Sequence, residues 1–154
     1  MADDTVHVLV VCTGNICRSP MGEVLLLDYA RRRGRHVEVK SASVLGLTGH
    51  AAHKNAIKVM KEIDLDLTQH RSQPVTPELM EWADYVLVME FKHATKLRER
   101  YPDSSDDQIM MMGSFAGYME IKDPLGWWKG PFKTCREELS RCVEAFVDSL
   151  PDED

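Results

Sequence analysis

A chain of 154 residues, 44% of them hydrophobic, has the length of a single domain spanning 1–154 and enough apolar content for a real core. Its net charge of −6 argues against nucleic acid or an anionic membrane surface as the main partner, so any anion site must be locally positive. No run approaches the roughly 18 to 20 apolar residues of a membrane span, and four cysteines without an N-terminal signal pattern point to reduced thiols in the cytoplasm.

Residues 6–11 form a short β-branched apolar run of the kind buried on both faces of a parallel sheet, the first predicted strand. Cys-Thr-Gly-Asn-Ile-Cys-Arg-Ser-Pro follows at 12–20 and leads into a helix beginning near Ser19. Met21, Val24, Leu25 and Tyr29 recur there at helical spacing, and Arg31, Arg32, Arg33 and Gly34 mark its solvated end. Residues 37–39 predict a second strand, and Ala52, Ala56, Val59, Met60 and Ile63 a second helix. Thr76 and Pro77 read as cap and first position of a short helix over 77–82, ahead of a third strand at 85–89. A helix over 93–101, a polar loop and a fourth strand at 109–112 come next, with Met110, Met111 and Met112 as packing residues. The last helix, 132–149, carries Cys135, Leu139, Cys142, Val143 and Phe146 on one face, which makes both cysteines core residues. Strands alternating with helices predict an α/β fold: three layers, with a parallel sheet covered on both faces and right-handed crossovers.

The spacing from Cys12 to Arg18 is C-x5-R, so one tight turn between strand and helix carries a sulfur at its entrance and a guanidinium at its exit. Gly14 and Asn15 accept left-handed backbone angles, which lets N–H groups from Thr13, Gly14, Asn15, Ile16 and Cys17 turn inward as a nest for an anion. The helix N-terminus adds its unpaired N–H groups, and Arg18 offers a planar fork to two oxygens of one phosphate. In that field Cys12 should favour the thiolate, the nucleophilic form. Ser19 is positioned as helix cap and as hydroxyl donor to the sulfur. Asp123 is the candidate acid for a leaving oxygen, because Pro124 holds it in extended backbone within a loop. Cys17 lies close enough in the curl for a disulfide with Cys12, which predicts reversible oxidation.

These residues resemble the low-molecular-weight protein tyrosine phosphatase family, whose signature is the whole run from Cys12 to Pro20. The likeness extends to Glu23, Ser41, His70, the strand segment 84–89, Gly113 with Ser114, and Asp123 with Pro124. The resemblance implies a four-stranded sheet in order 2-1-3-4. It implies phosphotyrosine hydrolysis through a phosphocysteine formed on Cys12, with Arg18 and the 13–18 loop holding the phosphate, Asp123 as general acid, and no cofactor or metal. It further implies that Asn15 and Ser41 brace the loop and that Glu23 and His70 form a buried pair tying the first helix to a neighbouring loop.

The partner so implied is a phosphotyrosine-containing protein, with the enzyme a monomer or weak homodimer. The family's aromatic cleft walls are replaced here by Leu125 and Gly126 on one side, with Trp127 and Trp128 following, and by Leu47 on the other. A related arginine phosphatase subfamily also has Gly soon after Asp-Pro, but carries Thr where this chain has Ile16, which favours tyrosine. Arsenate reductases of similar fold need further cysteines near the third strand, and residues 85–96 contain none.

Overall fold

The computed structural model describes residues 5–104, 107–126 and 128–152. Four parallel strands, β1 (Val6–Cys12), β2 (Val37–Ser43), β3 (Tyr85–Val88) and β4 (Ile109–Met111), pair in the order β2-β1-β3-β4. The expected order is therefore the observed one. Val8, Leu9, Val10 and Val11 are fully buried, as a central strand covered on both faces requires. Helices α1 (Arg18–Arg32), α2 (Lys54–Lys61) and α5 (Lys129–Ser149) cover one face, where Val8, Val10 and Cys12 meet Met21, Leu26, Val59, Leu139 and Phe146. Helices α3 (Pro77–Trp82) and α4 (Phe91–Arg100) cover the other, where Leu9 and Val11 meet Met80, Ala94 and Leu97.

Several element ends differ from the sequence expectation, each for a local reason. β2 continues past Val39 to Ser43 because it pairs with β1 along its whole length, Ser41 facing Val10 and Ser43 facing Cys12 in the register. Of the polar residues that hide this extension from a hydrophobicity reading, Ser41 is the one that reaches the site. α2 begins at Lys54 rather than Ala52, since the His53 ring nitrogen Nδ1 accepts from the Asn55 N–H and caps it. α4 and α5 start two and three residues earlier than expected. α3 matches in full, with Thr76 Oγ1 accepting from the Leu79 N–H. The fourth strand ends at Met111, and Met112 opens a 3-10 helix, Met112–Ala116. Met112, Cys135 and Cys142 lie in the core, as packing residues should.

β1 is flanked by β2 on one side and β3 on the other, so successive crossovers leave it in opposite directions. The crevice beyond the carboxyl end of such a strand is where open parallel sheets bind ligands. Cys12 is the last residue of β1 and Arg18 the first of α1, so the C-x5-R turn fills that crevice.

Candidate active site

The turn is held from outside by its carbonyls. The oxygens of Cys12, Thr13 and Ile16 accept from the N–H groups of Val44 (3.0 Å), Leu45 (3.1 Å) and His53 (2.8 Å), while His70 Nε2 lies 2.7 Å from the Asn15 oxygen. In a planar trans peptide the N–H points away from the C=O. Anchoring these four carbonyls outward therefore turns the N–H groups of Thr13, Gly14, Ile16 and Cys17 toward the interior of the turn. None of those four N–H groups has a protein hydrogen-bond partner among the described residues. The N-terminus of α1 opens into the same space; Cys17 is its N-cap without a side-chain bond, and no acidic residue occupies its first turn.

Asn15 is the keystone. Its φ of 58° is the left-handed conformation its residue type tolerates, and it is fully buried. Its Nδ2 donates to Ser19 Oγ (2.8 Å) and Ser41 Oγ (2.9 Å), and its Oδ1 accepts from the Gln73 N–H (3.0 Å). The Ser41 hydroxyl in turn donates a hydrogen bond to Glu23 Oε1. Asn15 and Ser41 thus stand where bracing residues were expected. Burial raises the Glu23 pKa, opposed by the Ser41 bond and the charge of His70.

Two expectations are corrected here. Ser19 lies inside α1, one residue past its start, and does not cap it; its hydroxyl is committed to Cys12 and Asn15. Glu23 and His70 do not bond each other: the tie between α1 and the 70–73 loop runs through Ser41 and Asn15.

The Cys12 sulfur lies 2.9 Å from Ser19 Oγ. The Ser19 oxygen also accepts from Asn15, and toward an ionised sulfur the Ser19 hydroxyl is the donor. Arg18 is only 1% exposed. Its Nη1 donates to Glu90 Oε2 (2.5 Å) and to the Ile121 carbonyl (2.8 Å), and its Nη2 reaches Thr13 Oγ1 at 3.4 Å. Asp123 Oδ2 stands 3.9 Å from the same Nη2. The Asp123 side chain is 39% exposed against 2% for Arg18, so the carboxyl sits on the solvent side of the guanidinium. The other Asp123 oxygen accepts from the Leu125 N–H, closing the turn that Pro124 begins.

Glu90 and His93 belong to this cluster and have no place in the sequence reading. Burial raises the Glu90 pKa, but the Arg18 bond and charge outweigh it and the net direction is down. His93 is 2% exposed and its pKa is lowered to about 4, first by burial and then by the Arg18 charge. Its Nδ1 accepts from the Glu90 N–H (3.1 Å), so the neutral ring carries its proton on Nε2 and donates it to Thr13 Oγ1 (2.8 Å). The signal in the sequence was a spacing of three, which lets the third helical residue bond back to the cap. Gln73 left no signal of its own.

All four cysteines are free and buried. Burial pushes the Cys17 thiol up to about 12, with the charges of Asp123 and Cys12 adding to the shift. Leu47 is half-buried, its Cδ2 3.8 Å from where a Cβ on Gly14 would stand. Leu125 is 56% exposed and lines a pocket with Gly126, His53 and Lys54. Trp128 is exposed at the start of α5, and Trp127 lies outside the described residues.

Comparison with known proteins gives a consistent picture. Residues 7–154 match the profile of the family described as low molecular weight phosphotyrosine protein phosphatase. The chain is 39% identical over 143 residues to the low molecular weight protein-tyrosine-phosphatase Etp of Escherichia coli K12, covering 93% of each protein. It is 34% identical to a protein-arginine-phosphatase of Geobacillus stearothermophilus, covering 96% of this chain and 97% of the relative. The solved low molecular weight protein tyrosine phosphatase of T. tengcongensis superimposes with a TM-score of 0.89 at 35% identity, covering 94% of this chain and 99% of that one. With a matching profile over almost its full length, relatives of this similarity and the same sheet order, the chain belongs to the low molecular weight phosphotyrosine protein phosphatase family.

Proposed function

We propose that the whole chain acts as one cytoplasmic phosphatase domain that hydrolyses phosphotyrosine in proteins, with small aryl phosphates as further substrates. The observation that carries this reading is the Cys12 sulfur 2.9 Å from the Ser19 hydroxyl, at the mouth of a turn whose N–H groups face inward beside a buried Arg18. The inward N–H groups and Arg18 hold the phosphoryl oxygens. The ionised Cys12 sulfur attacks phosphorus, the ester P–O bond breaks, and Asp123 gives its proton to the departing phenoxide. In the second step the Asp123 carboxylate takes a proton from water as the water oxygen attacks phosphorus. The P–S bond then breaks, returning the sulfur to the Ser19 hydroxyl and freeing inorganic phosphate.

Tyrosine is preferred over arginine because Ile16 presents only a hydrocarbon side chain to the turn, and Leu47 over Gly14 offers an apolar surface to a phenyl ring. The test is turnover of p-nitrophenyl phosphate and of phosphotyrosine and phosphoarginine peptides in the presence of a chelator. Cys12→Ser abolishes turnover. Asp123→Ala lowers kcat by about 10² to 10³ for poor leaving groups and far less for nitrophenol. An Asp123→Ala enzyme whose rate is unchanged across leaving groups has its acid elsewhere, and faster turnover of phosphoarginine moves the protein to the other branch of its family.

A further inference from the structure

Lys92 and Lys96 project one turn apart from α4, both exposed, on the side where α4 passes the phosphate-binding turn. Between them and the segment following β2 runs a groove of about 380 Å³. Val44 and Leu45 form its apolar surface, Thr95 and the two lysines its rim, and Thr13 with His93 its inner end. Thr13 is also the residue whose Oγ1 lies 3.4 Å from Arg18 Nη2, so the groove adjoins the start of the Cys12-to-Arg18 turn. Leu45 is 69% exposed, unusual for a leucine beside a site, and its backbone is fixed by the bond from its N–H to the Thr13 carbonyl. The Leu45 side chain thus faces solvent from an anchored backbone, with Val44, 6% exposed, beneath it.

The rim is positively charged on a molecule whose net charge is −6. Lys96 has no ion-pair partner among the described residues. The carboxylate nearest Lys92 is Glu90, 3.8 Å away, and that oxygen is already committed to Arg18 at 2.5 Å. Two under-compensated ammonium groups one turn apart, beside an apolar strip, match a segment with the opposite pattern: carboxylates flanking an apolar side chain.

Resting on the phosphatase reading above, we propose that this groove docks the residues next to the phosphotyrosine of an acidic protein segment, one apolar side chain lying on Val44 and Leu45 and carboxylates facing Lys92 and Lys96. The groove so acts as a selector among phosphotyrosine proteins, separate from the turn that does the chemistry. Because the ion pairs are at an exposed rim, they act mainly on the encounter and weaken with salt.

The experiment measures kcat/KM on three phosphotyrosine peptides: one with an apolar residue and two acidic residues beside the phosphotyrosine, one with the acidic residues changed to lysine, and one acidic peptide with serine for the apolar residue. The first is expected to exceed the second by about tenfold at low salt, the difference collapsing at high salt. Lys96→Glu brings that ratio to one or below, and Leu45→Asp removes the advantage of the first peptide over the third. Turnover of p-nitrophenyl phosphate stays unchanged in Lys96→Glu; in Leu45→Asp, whose backbone N–H anchors the Thr13 carbonyl, the readout is the ratio between the first and third peptides, which a general loss of activity leaves unmoved. Equal turnover of the peptides, a ratio that survives Lys96→Glu, or a dimer of this chain that Leu45→Asp disperses overturns the proposal while leaving the phosphatase reading intact. Failure of the unaltered protein to turn over any aryl phosphate overturns both.

Discussion

His93 sits between a backbone donor and a hydroxyl, Nδ1 accepting from the Glu90 N–H and Nε2 donating to Thr13 Oγ1. A second proton on the ring would have to displace the Glu90 N–H, in a buried place that already holds the Arg18 charge. Lys92 adds to the opposition, while Glu90 and Asp123 work against it, and the net pKa falls from the ordinary 6.5 to about 4. Between those two values the unfolded chain binds a proton that the folded chain refuses. Stability is therefore full at neutral pH and falls as pH drops through 6.5 toward 4, by about 2 kcal/mol from pH 7 to pH 4.5 for this one group. His93→Gln keeps an acceptor for the Glu90 N–H and a donor for Thr13 but does not titrate. Urea unfolding at both pH values should give a smaller acid loss for that variant, and an identical loss in the two proteins assigns the sensitivity to other groups. Asn15 shows what one residue lets a reader see. Its left-handed backbone and its place in the turn were legible from its type beside Gly14, whereas its bond to the Gln73 N–H joins residues 58 positions apart and exists only in the fold.

Among the elements, the strand, turn and α1 were readable because periodicity, turn residues and the Cys-to-Arg spacing all agree over one continuous stretch. The ends of β2 and α4 were not, because polar residues interrupt the pattern there, of which Ser41 and Glu90 serve the site rather than the core. Ser41 and Ser43 interrupt the apolar pattern of a strand that is nevertheless fully paired, and Glu90-Phe91-Lys92 lacks the usual cap residue types. The segment after β4 is the clearest case of an element set by packing. A Cβ on Gly113 would lie 2.9 Å from the Tyr118 carbonyl oxygen and 3.1 Å from the Tyr118 Cβ, and the Tyr118 N–H bonds back to the Gly113 oxygen. That turn delivers Ile121, whose carbonyl accepts from Arg18 and whose N–H donates to Met89, and two residues later Asp123. Gly113→Ala should therefore cost about 1 to 3 kcal/mol in thermal or urea unfolding and also lower kcat on aryl phosphates with poor leaving groups. Lost stability with undiminished kcat separates the turn from the placement of the acid, and no loss of either shows that Tyr118 yields to the methyl group.

At the scale of the whole molecule, β1 is the shared wall of both hydrophobic layers. Val8, Val10 and Cys12 enter the layer beneath α1 and α5, and Leu9 and Val11 the layer beneath α3 and α4. A strand that alternates between two cores cannot leave one without exposing the other, so the layers should unfold together. The Cys12-to-Arg18 turn is the direct continuation of that strand, braced from β2 through Ser41 and from the end of β3 through Glu90. An oxyanion bound there favours the folded state alone, and its effect must reach the entire unfolding transition. At about 100 times its dissociation constant, vanadate or inorganic phosphate should stabilise the protein by about 2.7 kcal/mol. Near-ultraviolet circular dichroism and tryptophan fluorescence should report one coincident transition, shifted upward as a unit by the anion. Two transitions, with the anion moving only one of them, would show that the layers beneath α1 and α4 fold independently and that β1 does not couple them.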